Sequence, residues 1–404
     1  MTKIVQINSA INCGSTGKIA EQIGKLAIKQ GWECFVAHSH RYSRDTELTD
    51  ISTSRSIDEK IHYIGTLLTD RHGTFSRTST KQLVKKLEEI KPDLVHLHNI
   101  HGHYMNYPIL FDYLKRSGVP VVWTLHDCWS FTGHCVYFDA IGCEKWRSGC
   151  YQCPLNKVYP TSLFDGSKGS YERKKRIFNS LDNLTLIPVS EWLSGLLGES
   201  YMSKYPRKVI HNGIDLSVFT PHEEIPVSLR ERQISSNVKI VLGVADGFDK
   251  RKGLYDFVEL AKRLGPSYQI VLVGVTDGYE APGIITLGRT QSQAELVDFY
   301  SIASVFVNPT YEDNFPTTNL EALACGTPVI TYRTGGSPES IDEKTGEVIE
   351  KGDVAALANA IINVCSKGKS YYADACRERT VSNYDKDERF MDYIRLFESL
   401  LDKD

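Results

Sequence analysis

Two carboxylates, Asp313 and Glu321, stand eight positions apart in the stretch VFVNPTYEDNFPTTNLEALACGTPVITY, residues 305–332. The apolar run 305–307 reads as a buried strand and Pro309 breaks it. From Pro316 onward Leu320, Leu323 and Ala324 recur at helical spacing, until Gly326 ends the helix. Proline is tolerated at a first helical position because its missing N–H would have no intrahelical partner there. The amides of Thr317 and Thr318 are therefore left to find an acceptor outside the helix. A helix start stabilises a nearby anion by roughly 0.3–1 kcal/mol, and by up to about 2 kcal/mol when partly buried, which suits a phosphate. Glu321, one turn further in, can accept hydrogen bonds from vicinal hydroxyls, and Asp313 can take those of a second polyol. One phosphate flanked by two polyol readers is the signature of a nucleotide sugar. Read more plainly, the same residues are a loop acid and a surface-helix glutamate in the strand–helix unit of any α/β protein.

Other chemistry-bearing residues also fall where apolar runs end. Asn12-Cys13-Gly14-Ser15-Thr16-Gly17-Lys18 follows the first such run and opens a helical pattern, the place where open α/β sheets bind ligands. It is neither G-x-G-x-x-G nor a P-loop, since Asn12 stands where the first P-loop glycine is needed and Ile19 follows Lys18. His126 and Asp127 end the run 121–125. Of the denser cluster His96, His98, His101 and His103, only His98 falls at a strand end, with Asn99 beside it, and no metal is read there. Asp249-Lys250-Arg251-Lys252-Gly253 forms a basic turn after the run 240–244.

The stretch around Asp313 and Glu321 resembles the retaining glycosyltransferases of family 4, which have the two-domain GT-B fold. The motif is an acid, seven residues and a glutamate, then a helix ending in A-C-G-x-P-V. Asp313, Glu321 and Ala324-Cys325-Gly326-Thr327-Pro328-Val329 match it, with Asp313 in place of the usual glutamate and Pro316 in place of a usual glycine. Glu312, next to Asp313, offers a second register for the first acid. The resemblance implies Asp313 at the donor sugar, Glu321 on the ribose hydroxyls and the amides of Thr317 and Thr318 at the diphosphate, with Asn314 and Phe315 in the turn between. It also implies that Gly14, Ser15 and Thr16 form a glycine-rich loop facing the donor phosphate, and that His126 contacts the donor sugar.

Lys252-Gly253 fits the R-x(4)-K-G segment with which the family neutralises the diphosphate, although Gly247 stands where its arginine is expected, so Arg251 or Lys250 substitutes or the charge comes from elsewhere. Gly335-Gly336-Ser337-Pro338-Glu339 resembles the glycine loop beside the donor, and Gly288-Arg289-Thr290 the segment that passes the nucleotide base. The implied reaction is heterolysis of an anomeric C–O bond with retention, Lys252 and the helix start stabilising the departing nucleoside diphosphate. A donor phosphate oxygen helps to deprotonate the acceptor, so Asp313 need not be a nucleophile. The implied partners are a UDP- or GDP-sugar and a glycan or lipid-linked acceptor, in surface-polysaccharide or lipopolysaccharide synthesis, with no cofactor required for catalysis. Asp385-Lys386-Asp387 has the spelling of a GT-A metal site but lies beside the terminal helix, so transfer is expected to be metal-independent. A nucleotide-sugar 2-epimerase of the same fold and a non-catalytic carbohydrate-binding protein remain open, whereas a nicotinamide dehydrogenase lacks its fingerprint.

These residues need a scaffold, and the pattern supplies one. Apolar runs at 4–7, 34–37, 94–97, 121–125 and 184–189, then at 240–244, 270–275, 284–287, 305–307 and 329–331, alternate with amphipathic stretches such as 254–264 and 357–365. Runs rich in β-branched residues without polar alternation indicate parallel sheets covered on both faces. The fold class is α/β: two doubly wound, Rossmann-like domains facing a cleft. The pattern divides the chain into residues 1–205, with a cysteine-rich insertion at about 128–165, and residues 206–386; the resemblance implies that the first is the acceptor-side domain and the second binds the nucleotide sugar. A helix over 387–404 crosses back to the first domain, as the resemblance implies. At 404 residues the chain is too long for one ordinary core.

A net charge of −3 gives no general attraction to nucleic acid. The run Glu172-Arg173-Lys174-Lys175-Arg176 reads as a solvated helix face, with peripheral contact to anionic lipid as the second reading. Without a signal peptide or a long apolar run, the protein is expected in the cytoplasm, at the inner face of the membrane if its acceptor is lipid-borne. Ten cysteines there are thiols or metal ligands before they are disulfides. Cys135, Cys143, Cys150 and Cys153 could hold a structural zinc, although Cys128 could compete as a ligand.

Overall fold

The computed structural model describes residues 1–222, 229, 237–275, 279–290 and 292–402. The chain divides into two compact units, one of residues 1–211 with 390–404 and one of residues 212–389. The boundaries fall a few residues beyond those read from the sequence.

In the first unit six strands form one parallel sheet: β1 Lys3–Ile7, β2 Glu33–Ala37, β3 Thr49–Asp50, β4 Leu94–Leu97, β5 Val121–Leu125 and β6 Leu184–Pro188. Every residue of β4, β5 and β6 is buried, as a sheet covered on both faces requires. The strand order β3-β2-β1-β4-β5-β6 reverses direction between β1 and β4, a topological switch point that opens a crevice at the carboxyl ends of the strands.

The helix Lys386–Leu401 belongs to this unit from Phe390 onward. Its Phe390, Tyr393, Ile394 and Phe397 enter one core with Ile4, Ile11, Ile19, Ile23 and Val36. Their spacing lays one apolar stripe along the helix. At about 1.5–3 kcal/mol for each fully buried large side chain, the stripe anchors the chain terminus firmly.

Between β5 and the helix Ser167–Phe178 the chain makes three single 3₁₀ turns, at Trp129–Phe131, Asp139–Ile141 and Lys145–Arg147. Trp146 and Phe138 stack there, with ring centroids 5.4 Å apart. The basic run at 172–176 corrects one expectation. Glu172, Lys175 and Arg176 are exposed, but Lys174 points inward and is buried, because helical periodicity places it on the same face as Ser170, Tyr171 and Phe178.

The second unit repeats the architecture with β7 Lys239–Val244, β8 Tyr268–Val273, β9 Ile284–Leu287, β10 Val305–Asn308, β11 Val329–Tyr332 and β12 Gly346–Ile349. Its order, β12-β11-β10-β7-β8-β9, is the same winding, with the switch point between β7 and β10. The ends of this unit are clasped together. Ile214 N donates to Tyr384 O at 2.8 Å, Lys386 N donates to Ile214 O at 3.1 Å, and Lys386 Nζ pairs with Asp215 at 2.5 Å. Among the described residues no helix is long and apolar enough to cross a membrane.

Candidate functional site

The turn after β7 and the turn after β10 flank the switch point of the second unit, and they are laced together through the backbone. Tyr311 N donates to Arg251 O at 2.8 Å, and Thr310 Oγ1 donates to the same carbonyl at 3.3 Å. Gly253 has φ +73° and lies so close to the Pro309 carbonyl that a Cβ would overlap it. Asp249 Oδ1 accepts from Lys252 N at 2.9 Å and holds the basic turn closed. The result is an ion pair, Lys252 Nζ to Asp313 Oδ2 at 2.7 Å, with the two side chains 21% and 19% exposed. Glu312, the neighbouring acid, is buried, so Asp313 is the acid that faces Lys252.

The helix Thr317–Ala324 starts one residue later than its sequence reads. Pro316 is the cap, in an extended conformation with ψ 116°, and not the first helical residue. Thr317 and Thr318 occupy the first turn, half-buried. Asn319 anchors it. Wholly buried, it accepts from Asn308 Nδ2 at 2.8 Å and donates to Ser337 Oγ at 3.0 Å and Ser340 Oγ at 2.9 Å. Ser337 Oγ in turn lies 2.6 Å from Thr331 Oγ1. One side chain thus ties the helix start to the end of β10 and to the loop after β11.

That loop meets the acidic turn through Gly335, whose φ of +53° and contact with the Asp313 carbonyl leave no room for a side chain, and through Gly336 N, which donates to Asn314 O at 3.1 Å. Asn314 and Phe315 are buried, and Phe315 packs against the Tyr384 ring. Their side chains build the turn, which leaves the backbone as the part able to meet a ligand. Glu321 accepts from Tyr300 OH at 2.8 Å, so a fully buried tyrosine fixes the carboxylate's orientation. Burial, then the Glu321 charge, pushes the Tyr300 phenol well above its ordinary value and keeps it a donor. Arg251 is half-buried, with Nε 4.0 Å from Asp249; Arg289 is exposed and paired with Asp246 just past β7.

In the first unit Gly14, Ser15 and Thr16 open the helix Gly14–Lys29 after β1, Gly14 and Ser15 being exposed. His126 follows β5. Its ring state follows from a chain of partners. Gln6 Nε2 donates to Ala20 O at 2.8 Å, which turns its oxygen toward His98 Nε2 at 3.1 Å. His98 therefore donates through Nε2 and accepts at Nδ1 from His126 Nε2, 3.1 Å away. Burial pushes the His126 imidazole down to about 4, so it is a neutral hydrogen-bonding group at physiological pH. His98, expected at an open strand end, is instead the buried support of His126.

A second relay was not foreseen. Asp127 Oδ2 lies 2.7 Å from His101 Nε2 and Oδ1 accepts from Trp129 N at 2.8 Å, while His101 Nδ1 meets Tyr159 OH at 3.2 Å. Its members are 26 and 58 positions apart, so spacing along the chain gives no sign of the pairing. Cys135, Cys143, Cys150 and Cys153 line one small cavity in the insertion of this unit.

Comparison with known proteins shows the family and the fold. The Escherichia coli K12 protein described as a putative colanic acid biosynthesis glycosyl transferase, WcaC, is 26% identical over 274 residues, covering 66% of this chain and 66% of its own length. The chain thus spans about two thirds of that relative. Among solved structures, a sucrose-phosphate synthase from Thermosynechococcus elongatus superposes with a TM-score of 0.72 at 19% identity, over 100% of both chains. Anabaena Alr3699/HepE, crystallised with UDP-glucose, superposes with a TM-score of 0.66 at 14% identity, over 99% of this chain and 100% of its own. Both show the fold. The family models for Glycosyltransferase Family 4, over residues 17–218, and for Glycosyl transferases group 1, over residues 228–380, match between them most of the sequence, and the chain belongs to the family 4 glycosyltransferases, with the GT-B fold.

Proposed function

We propose that the protein is a retaining, nucleotide-sugar-dependent glycosyltransferase that builds a surface polysaccharide or lipopolysaccharide oligosaccharide on a membrane-borne acceptor. The observation that carries this reading is the Lys252–Asp313 pair set beside the Thr317 helix start and Glu321 at one switch point. A diphosphate on the Thr317 and Thr318 amides would meet Lys252, its ribose would reach Glu321, and the transferred sugar would lie toward Asp313. The UDP-glucose complex of HepE favours a uridine nucleotide, and the colanic acid role in the description of WcaC favours polysaccharide synthesis. His126, neutral and held from behind by His98, suits a sugar hydroxyl.

The donor is tested by calorimetric titration of UDP, GDP, ADP and their common sugars into the wild type and Glu321→Ala. Saturable binding of one nucleotide family is expected, weakened at least tenfold in the variant, consistent with about 1.5–3 kcal/mol for a hydrogen bond to a charged group. Equal binding by both proteins would take Glu321 out of the site. Conversion of the donor sugar without any acceptor would move the reading to an epimerase.

A surface of the first unit supports the membrane-borne acceptor. On the helix Ser56–Thr69, Ile57, Ile61, Ile64 and Leu68 recur along one face and are 49–61% exposed. Leu163 and Phe164, also exposed, join that helix through Leu163 N to Leu67 O at 2.7 Å. An exposed apolar row of this kind fits the headgroup–acyl boundary of a bilayer. Ile61→Asp with Ile64→Asp is expected to reduce co-sedimentation with anionic phospholipid vesicles severalfold while nucleotide binding is kept. Undiminished vesicle binding by the double variant would assign the row another use.

A further inference from the structure

We infer that the insertion between β5 and the helix Ser167–Phe178 is a zinc-stapled subdomain, with the thiolates of Cys135, Cys143, Cys150 and Cys153 as ligands. All four thiols line a single cavity of about 20 Å³, with Phe138 and Trp146 in its wall. Cys135 and Cys143 stand apart and Cys150 and Cys153 form a C-x2-C pair, in a long segment that has only single 3₁₀ turns for regular structure. A loop of that length inside a compact unit needs something other than backbone ladders to hold it.

Among the described residues no three ligand side chains are gathered closely enough to hold an ion. Cys150 Sγ instead accepts from Gly133 N at 3.1 Å. Turning the thiols into the cavity about their Cα–Cβ bonds is the change that metal binding requires, and Zn–S bonds of about 2.3 Å then close a tetrahedron. Each thiol gives up its proton to solvent as the zinc enters.

An independent observation points to the same charge. Lys174 is 1% exposed, and its Nζ donates to Trp129 O at 2.7 Å and Thr132 O at 3.2 Å beneath the Trp129 ring. None of these partners is an anion, and burial pulls the ammonium down to about 7, so an anionic centre close by would favour its charged form. The groups around it that can carry negative charge are Cys150, Cys135, Asp70 and Asp127. Zinc with four thiolates carries two net negative charges, and a centre at this cavity gives Lys174 its counter-charge.

The test is metal analysis of full-length protein purified without chelators, together with exchange into cobalt(II). One zinc per chain is expected, with the absorption of tetrahedral cobalt thiolate after exchange. Cys150→Ser with Cys153→Ser should lose both signals, whereas Cys13→Ala, outside the cluster, should keep both. Removing the metal should lower the melting temperature reversibly. Folded wild-type protein with well under one zinc per chain and four freely alkylated thiols would overturn the proposal, as would disulfides among the four in non-reducing mass spectra. Because wild-type metal content decides the matter, a double variant that fails to fold does not shield it.

Discussion

Lys252→Ala is expected to lower kcat by about 10²–10³-fold, the loss of about 2.7–4 kcal/mol that follows removal of one preorganised charge-stabilising donor. The ammonium does not have to be recruited during the reaction. Asp313 holds it at 2.7 Å, Asp249 braces its backbone, and the contact of Gly253 with Pro309 fixes the turn that carries it. In the proposed reaction negative charge grows on the departing diphosphate as the anomeric bond breaks, so the interaction would strengthen toward the transition state and the loss is expected mainly in kcat, with a smaller effect on KM. Lys252→Arg, with a longer and planar cation, should recover only part of the rate. Initial rates at saturating donor, with circular dichroism to establish folding, are the measurement. A loss smaller than about tenfold would place Lys252 outside the charge-stabilising machinery.

Asn319→Ala is the second large effect, and it falls first on stability. The substitution strips the buried Asn308 amide of its acceptor and two buried serine hydroxyls of a shared partner. Buried groups left unsatisfied cost about 1–3 kcal/mol each, and both serines keep one other contact, so a total near 2–4 kcal/mol is expected. For a unit of this size that lowers the melting temperature by about 5–15 °C. The helix start and the loop after β11 would lose their common tie, so donor affinity should fall as well. Thermal unfolding of the second-unit transition checks the first expectation, and a shift below about 2 °C would show that the network relaxes around the gap.

The scaffold was legible because its signal is local. The run 121–125, Val121-Val122-Trp123-Thr124-Leu125, is rich in β-branched residues and follows Pro120, and it is a buried strand of the same extent. Two strands escaped notice for the opposite reason. Thr49–Asp50 is a two-residue exposed edge, and Gly346–Ile349 carries a glycine and a glutamate, so neither shows the pattern of a doubly covered strand. The motif residues Asp313, Thr317 and Glu321 could be found by spacing, and the structure sets Lys252 against Asp313 from 61 positions away. What holds them was not legible. Tyr300, Asn319, Gln6 and His98 act through partners 11 to 92 positions away, and spacing along the chain shows none of those pairings. The inward turn of Lys174 was hidden by its basic neighbours.

The last helix gives the order of synthesis a consequence. The first unit is left incomplete at His211 and is finished only when Phe390 and the residues after it arrive. At about 5–20 residues per second, the intervening chain takes roughly ten to forty seconds to make. Throughout that interval Ile4, Ile11, Ile19 and Ile23 have been translated but lack part of their cover, while the residues of the second unit are all made before Phe390. The half of the protein that is made first is thus the half that is completed last.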